Sequence, residues 1–188
     1  FRIRLNVGDI FDIKSKILIN CGGLHSDLIS SSIKGVRSKF IKKIYYGKGH
    51  YFKYLGKNPF KKLIYPLPKP GSLGIHASMD ISGQLRFGPD LEWVDSINYE
   101  FDYGLKKKFL NSIRLYWPDI NGDKLQPDYC GIRAKIYNES EPAPDFYISS
   151  PSQHGLEGLY NLQGIESPGL TSSLSIAEYM FDLIKKNI

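Results

Sequence analysis

The chain is 188 residues long, 41% hydrophobic, 23% charged and 13% aromatic, with two cysteines and a formal charge of +6. That composition supports a buried core and excludes bulk disorder, a disulfide scaffold and a zinc ribbon. No apolar run approaches the ~20 residues that a membrane-spanning helix requires. Cys21 and Cys130 stand far apart without a C-x-x-C neighbour, which fits a reducing, cytoplasmic setting. The lysines fall in short scattered groups (Lys42-Lys43, Lys61-Lys62, Lys106 to Lys108, Lys185-Lys186) and read as solvated faces, not as a nucleic-acid tract. Attraction to an anionic ligand, or peripheral contact with an acidic membrane surface, stays open.

The chain opens on an alternating run that puts Phe1, Ile3, Leu5 and Val7 on one face of a strand. Gly8-Asp9 turns it, and Ile10 to Ile13 return as a hairpin partner. An opening already in mid-sheet, with neither an initiator Met nor a signal-peptide pattern, is expected of a piece of something larger. Ile17 to Cys21 is a continuous apolar run feeding Gly22-Gly23, so it predicts a buried strand and a tight turn. Leu28 or Ile29, Ile33, Val36, Phe40 and Ile44 then recur at helical spacing, with Ser26 or Asp27 as N-cap and Gly35 weakening but not breaking the helix.

From about Gly49 to Phe87 the pattern predicts short strands: His50 to Leu55, Lys62 to Tyr65, and a hairpin of Leu73 to Ser78 with Gln84 to Phe87. Pro66, Pro68 and Pro70 punctuate the middle of that stretch. Leu105, Phe109, Ile113 and Tyr116 form one helical stripe, stopped by Pro118. Tyr129 to Ile136, Asp145 to Ser149 and Leu159 to Leu162 read as strands. A closing helix from about Gly169 to Lys186 is expected to bury Leu170, Leu174, Ala177, Phe181 and Ile184. The whole reads as α+β with a substantial antiparallel or mixed sheet and flanking helices.

Most chemical motifs are missing. There is no phosphate-binding P-loop, no G-x-S-x-G elbow and no H-E-x-x-H, and Gly47-Lys48-Gly49 is followed by Phe52 where a dinucleotide fingerprint needs glycine. His25, His50, His76 and His154 show no metal-ligand spacing. Two glycine turns do join a strand to a helix, Gly22-Gly23 and the stretch from Gly164 to Thr171, where backbone can approach a ligand and free N–H groups favour negative charge. Pro168 and Gly169 equally serve as plain helix punctuation. Arg133, set among apolar neighbours in a strand, needs an anionic partner: either a ligand carboxylate or one of the chain's own acids.

Leu18 to Asp27 resembles the late strand and glycine turn of FAD-dependent oxidoreductases of the D-amino-acid oxidase superfamily. Tyr65-Pro66-Leu67-Pro68, Leu73-Gly74-Ile75-His76 and Phe87-Gly88-Pro89-Asp90 resemble the following sheet in its L-2-hydroxyglutarate oxidase and dehydrogenase branch. So do Gln126 to Tyr129 with Gly131-Ile132-Arg133, and Asn161 to Thr171, all in the family's order. The family's opening G-x-G-x-x-G unit and ribose-binding acid are absent.

The resemblance therefore implies the C-terminal half of such an enzyme: residues 1–45 and 155–188 as the remainder of an FAD-binding domain, and 46–154 as a substrate-binding domain. It implies FAD as cofactor, although this chain by itself lacks the surface for the ADP end. A separate N-terminal FAD-binding chain is the implied partner. Gly22, Gly23, His25, Gly164, Gly169, Leu170 and Thr171 are the implied flavin contacts. Arg133 is the implied carboxylate clamp, His76 the first choice of base with His154 and His50 in reserve, and Tyr51 and Tyr65 substrate walls. The implied activity is oxidation of a small 2-hydroxy acid such as L-2-hydroxyglutarate. The alternatives are a flavin-linked glycerol-3-phosphate dehydrogenase, an amino-acid oxidase, or a non-catalytic remnant that binds no flavin.

Overall fold

The structure, a computed structural model, describes residues 1–7, 9–67 and 74–186. In chain order its elements begin β1 (Arg2–Val7), β2 (Asp9–Lys14), β3 (Leu18–Asn20), α1 (Ser26–Ser32), β4 (Tyr45–Tyr54), β5 (Ala77–Met79), β6 (Leu85–Phe87) and β7 (Glu92–Val94). They continue with α2 (Lys106–Ile113), β8 (Leu125–Lys135), β9 (Tyr147–Ser149), α3 (Pro151–His154), β10 (Leu159–Gln163) and α4 (Ser173–Lys185). This is a mixed α+β fold. It divides into two compact units, Phe1–Tyr45 with Ala134–Ile188, and Tyr46–Arg133. The break after Arg133 comes earlier than the expected 154, because β9 pairs with β10 and draws the intervening chain into the first unit.

In the first unit β1 and β2 pair antiparallel, from Arg2 opposite Lys14 to Val7 opposite Asp9, as the alternation predicts. Gly8 of the turn lies outside the described residues. A second sheet runs β3-β10-β9, with β3 and β10 parallel (Leu18 opposite Leu159, Asn20 opposite Asn161). The expectation of a fully buried run at Ile17 to Cys21 is overturned: Asn20 is buried, but Ile19 is 43% exposed and Cys21 is exposed. The reason is that among the described residues β3 has a strand on one side only, β10.

The long helix expected to reach Ile44 stops at Ser32. Ser31 and Ser32 hydroxyls donate back to the Asp27 and Ile29 carbonyls, Ile33 turns extended, and Gly35 takes φ +93°. A glycine suits that left-handed backbone, and a Cβ there would also press on Leu156 at 3.1 Å. Neither Ser26 nor Asp27 caps α1, which begins at Ser26. Asp27 instead accepts from the backbone N–H of Leu28 (2.8 Å) and Ile44 (3.0 Å), tying the extended return to the helix.

The closing helix is present, but its buried face is not the expected one. Met180 is buried, with Ile176, Leu183 and Ile184 packed beside it against Tyr160 and Leu162 of β10. Leu170 (91%), Leu174 (80%) and Phe181 (64%) are exposed, so of the expected stripe only Ile184 meets the core.

The second unit is built on β4. Phe52 and Tyr54 face a core completed by Leu85, Phe87, Leu125 and, from α2, Phe109 and Ile113. The α2 stripe and the Asp80–Gly83 turn match expectation, and a β5–β6 hairpin is present, but its first strand is Ala77–Met79 and not the expected Leu73 to Ser78. The Lys62 to Tyr65 strand shrinks to one bridge between Ile64 and Ala77, and Pro68, Pro70 and Leu73 lie outside the described residues. β8 also pairs with β4. The pairing of β4 shifts by one residue between Phe52 opposite Phe87 and Lys48 opposite Glu92. β6 and β7 thus line the same edge of β4, with a bulge at Gly88–Asp90 between them.

Candidate functional site

The parallel strands β3 and β10 end side by side, and each runs into a glycine turn. Beneath them lies a buried polar lattice. Asn20 Nδ2 donates to the Ser26 carbonyl (2.8 Å), Ser30 Oγ (2.9 Å) and Asn161 Oδ1 (3.1 Å), while its Oδ1 accepts from the Gly22 N–H (3.0 Å). The lattice fixes where the chain leaves β3. A Cβ at Gly22 would meet Ile29 Cδ1 at 2.4 Å, and one at Gly164, where φ is +70°, would meet Ile136 at 2.8 Å. A Cβ at Gly169 would meet the Glu166 carbonyl at 2.5 Å. Gly164 and Gly169 are demanded by the chain's own backbone, whereas at Gly22 the tip of the Ile29 side chain would have to move aside. Gly23, at φ +53°, has nothing within 4 Å of its Cβ position and lies exposed, as does His25 beside it.

The turn after β10 is held by an ion pair. Lys135, 4% exposed, donates to Glu166 Oε1 (2.8 Å), Glu166 Oε2 (2.9 Å) and the Tyr137 hydroxyl (2.7 Å). Beyond Gly169 the backbone coils into α4, and the N–H groups of Leu170 and Thr171 have no acceptor among the described residues. Both residues are exposed. Two free N–H groups in the turn just before a thirteen-residue helix offer partial positive charge to a ligand.

The second unit carries the remaining expected residues. Arg133, near the end of β8, is half-buried, and its side chain makes no hydrogen bond, ion pair or ring contact among the described residues. None of the chain's own described acids holds it. His76 is half-buried and meets the Tyr65 ring edge-on at 4.5 Å, so the structure brings these two together. Tyr51 stacks on Tyr129 at 4.6 Å and 14°, and Arg86 lies over the far ring at 5.7 Å while its Nε bonds Asp128 (2.6 Å).

The reserve histidines are enclosed. His154 is buried, its imidazole pKa pushed down by burial, and Nδ1 accepts from the Leu156 N–H. His50 is 0% exposed and belongs to a cluster that sequence reasoning missed. Asp90 Oδ1 accepts from the His50 backbone N–H (2.8 Å) and Nδ1–H (3.0 Å), and Oδ2 accepts from Lys108 Nζ (2.9 Å). The carboxylate therefore replaces the ladder bond that the bulge removes. Burial pushes the Asp90 carboxyl up, but the bonds from Lys108 and His50 outweigh it and hold it below the usual carboxylate range. Gly88-Pro89-Asp90 after a strand was the available signal. Its pairing with His50, forty residues away, was not.

The residues present fit the flavin end of an FAD: free N–H groups at α4, an open Gly23, and strand ends at a shared edge. Nothing among the described residues supplies the glycine fingerprint for the ADP end. Among those residues, too, no helix is long and apolar enough to cross a membrane.

Residues 3–183 match the family described as FAD dependent oxidoreductase, and the chain belongs to that family. It is 40% identical over 176 residues to the mitochondrial L-2-hydroxyglutarate dehydrogenase of Arabidopsis thaliana, covering 87% of this chain and 36% of that protein. It is 27% identical to a glycerol 3-phosphate dehydrogenase of Caloramator mitchellensis, covering 94% of this chain and 35% of that one. The chain thus spans about a third of the length of these curated relatives. Its fold matches FAD-bound L-alpha-glycerophosphate oxidase from Mycoplasma pneumoniae with a TM-score of 0.72 at 16% identity, over 94% of this chain and 46% of that one. Glycine oxidase from Geobacillus kaustophilus matches at 0.69 and 14% identity, over 97% and 44%.

Proposed function

We propose that this chain supplies the substrate-binding sheet and the flavin-edge turns of an FAD-dependent oxidoreductase that oxidises a small 2-hydroxy acid of the L-2-hydroxyglutarate class. The observation that carries the reading is Arg133: a half-buried guanidinium with no anionic partner of its own. Its planar fork accepts a carboxylate through two parallel hydrogen bonds and so fixes the adjoining hydroxyl-bearing carbon. His76 takes the hydroxyl proton on an imidazole nitrogen, and the edge-on Tyr65 ring sets the plane of that imidazole. The N–H groups of Leu170 and Thr171, with Gly23, would hold the flavin ring edge. FAD, when bound, supplies the two-electron acceptor. The adenosine end requires a complementary dinucleotide-binding segment.

The 40% relative favours the hydroxyglutarate reading. The Caloramator relative favours a second one, sn-glycerol 3-phosphate, in which Arg133 would bind a phosphate. The test is to mix the chain with the part of the Arabidopsis relative that it does not match and to compare both substrates. L-2-hydroxyglutarate should be oxidised, with Arg133→Ala lowering kcat/KM by about 100-fold, mostly through KM. Preference for sn-glycerol 3-phosphate would select the second reading, and an unchanged kcat/KM would remove Arg133 as the clamp.

A further inference from the structure

Nothing in the packing of this chain requires residue 131 to be a glycine. Gly131 lies inside β8, where a glycine loses more conformational freedom on folding than any other residue and leaves no side chain to pack. Its backbone is not left-handed, and a Cβ placed on it would meet nothing within 4 Å among the described residues. Gly49, on the neighbouring strand β4, is the contrast: a Cβ there would meet Pro89 at 2.8 Å. A strand interior that keeps a glycine beside open space marks a place where a ligand comes close to the backbone.

The space is flanked by specific chemistry. Alternation along β8 puts Tyr129, Gly131 and Arg133 on one face, successive members about 7 Å apart. Arg133 stands at one end with its side chain unpaired among the described residues. At the other end Tyr129 is a fixed wall, stacked on Tyr51 at 4.6 Å with the Arg86 guanidinium over its ring at 5.7 Å. Arg86 is itself tied to Asp128 (2.6 Å) and Asp80 (3.1 Å), which keeps the wall from swinging. An acid anchored on Arg133 by one carboxylate has room for its carbon chain over Gly131. Four extended C–C bonds span about 5 Å, which fits within the ~13 Å from Arg133 to Tyr129 along the strand.

We infer that Gly131 is a specificity-determining position: the tail of a five-carbon 2-hydroxy acid lies against its backbone, between the Arg133 clamp and the Tyr129 wall. A side chain at this position fills the space of the tail and leaves the clamp free, so a short acid still binds while a long one is refused. The wall sets the upper limit on length, because Tyr51 and Arg86 hold the Tyr129 ring in place. The inference deepens the proposed function and rests on its assignment of Arg133.

The test has two arms. In the full chain by itself, Gly131→Ala and Gly131→Val should leave the urea midpoint unchanged or raise it, since the added atoms meet nothing. A lowered midpoint would show that the chain's own packing demands the glycine and would overturn the inference. In the second arm the chain, mixed with FAD and the part of the Arabidopsis relative that it does not match, is titrated with glutarate and with acetate. Binding is read from the amide shifts of residues 129–133. Gly131→Val should weaken glutarate by at least about 30-fold and acetate by less than about threefold. Equal weakening of both, an unchanged glutarate affinity, or no glutarate binding to the wild type would each overturn the inference. So would loss of association with the unmatched part, which would mean that protein and not substrate fills the space. Neither probe is oxidised, so the two readings fail separately. Glutarate binding that depends on Gly131, without turnover of L-2-hydroxyglutarate, refutes the proposed function alone. Turnover with an unchanged KM in Gly131→Val refutes the specificity position alone.

Discussion

Asp90→Ala tests how the second unit is assembled. Its carboxylate is 3% exposed and holds three donors. Removing it strands the backbone N–H and Nδ1–H of His50, which is 0% exposed. A buried donor without an acceptor costs about 1–3 kcal/mol, so two give roughly 2–6 kcal/mol. Lys108, with its side chain 53% exposed, rehydrates and adds less than about 1 kcal/mol. The expected loss is about 4 kcal/mol, a large share of the ~5–15 kcal/mol available to a domain. His50→Leu removes only the ring donor, leaves the backbone N–H satisfied, and should cost clearly less.

Urea unfolding of the full chain measures both variants, with an unchanged slope expected. The pH dependence gives an independent sign. Asp90 has a lowered folded pKa, so its contribution is present above the ordinary aspartate range and is lost as pH falls through the folded value. The gap between wild type and Asp90→Ala should therefore narrow below about pH 4. A loss under about 1 kcal/mol, or His50→Leu costing more than Asp90→Ala, would refute the role given to this carboxylate.

Lys135→Met should cost up to about 3 kcal/mol by leaving the half-buried Glu166 without its cation, and the double variant Lys135→Met/Glu166→Leu should recover most of it in thermal unfolding. Asn20→Ala should cost about 1–3 kcal/mol in urea unfolding, since it leaves the Gly22 N–H without its acceptor and removes the buried bonds to Ser30 and Asn161. Gly164→Ala combines φ +70° with a contact to Ile136 at 2.8 Å. It should cost about 1–3 kcal/mol and raise amide exchange along the 164–171 turn more than elsewhere.

What could be read from the sequence was local. The α2 stripe, the first hairpin and the Asp80–Gly83 turn follow from period and turn chemistry within a dozen residues, and all are present. The helix beyond Ser32 failed because spacing alone cannot weigh back-bonding serines and a left-handed Gly35 against a run of apolar residues. In α4 both stripes are apolar, so periodicity found a helix but not the side the sheet would claim. Arg133 stood out as a charge among apolar neighbours. The Asp90–His50, Lys135–Glu166 and Asn20–Asn161 contacts each join residues more than thirty positions apart, and nothing in either local segment announces its partner.

The central claim is that these strand ends and turns serve a flavin. The most direct measurement is the visible absorbance spectrum of the chain mixed with the unmatched part of the Arabidopsis relative and FAD, after removal of free flavin. A yellow complex whose flavin band bleaches on anaerobic addition of L-2-hydroxyglutarate is the predicted result. A mixture that associates yet stays colourless would contradict the account.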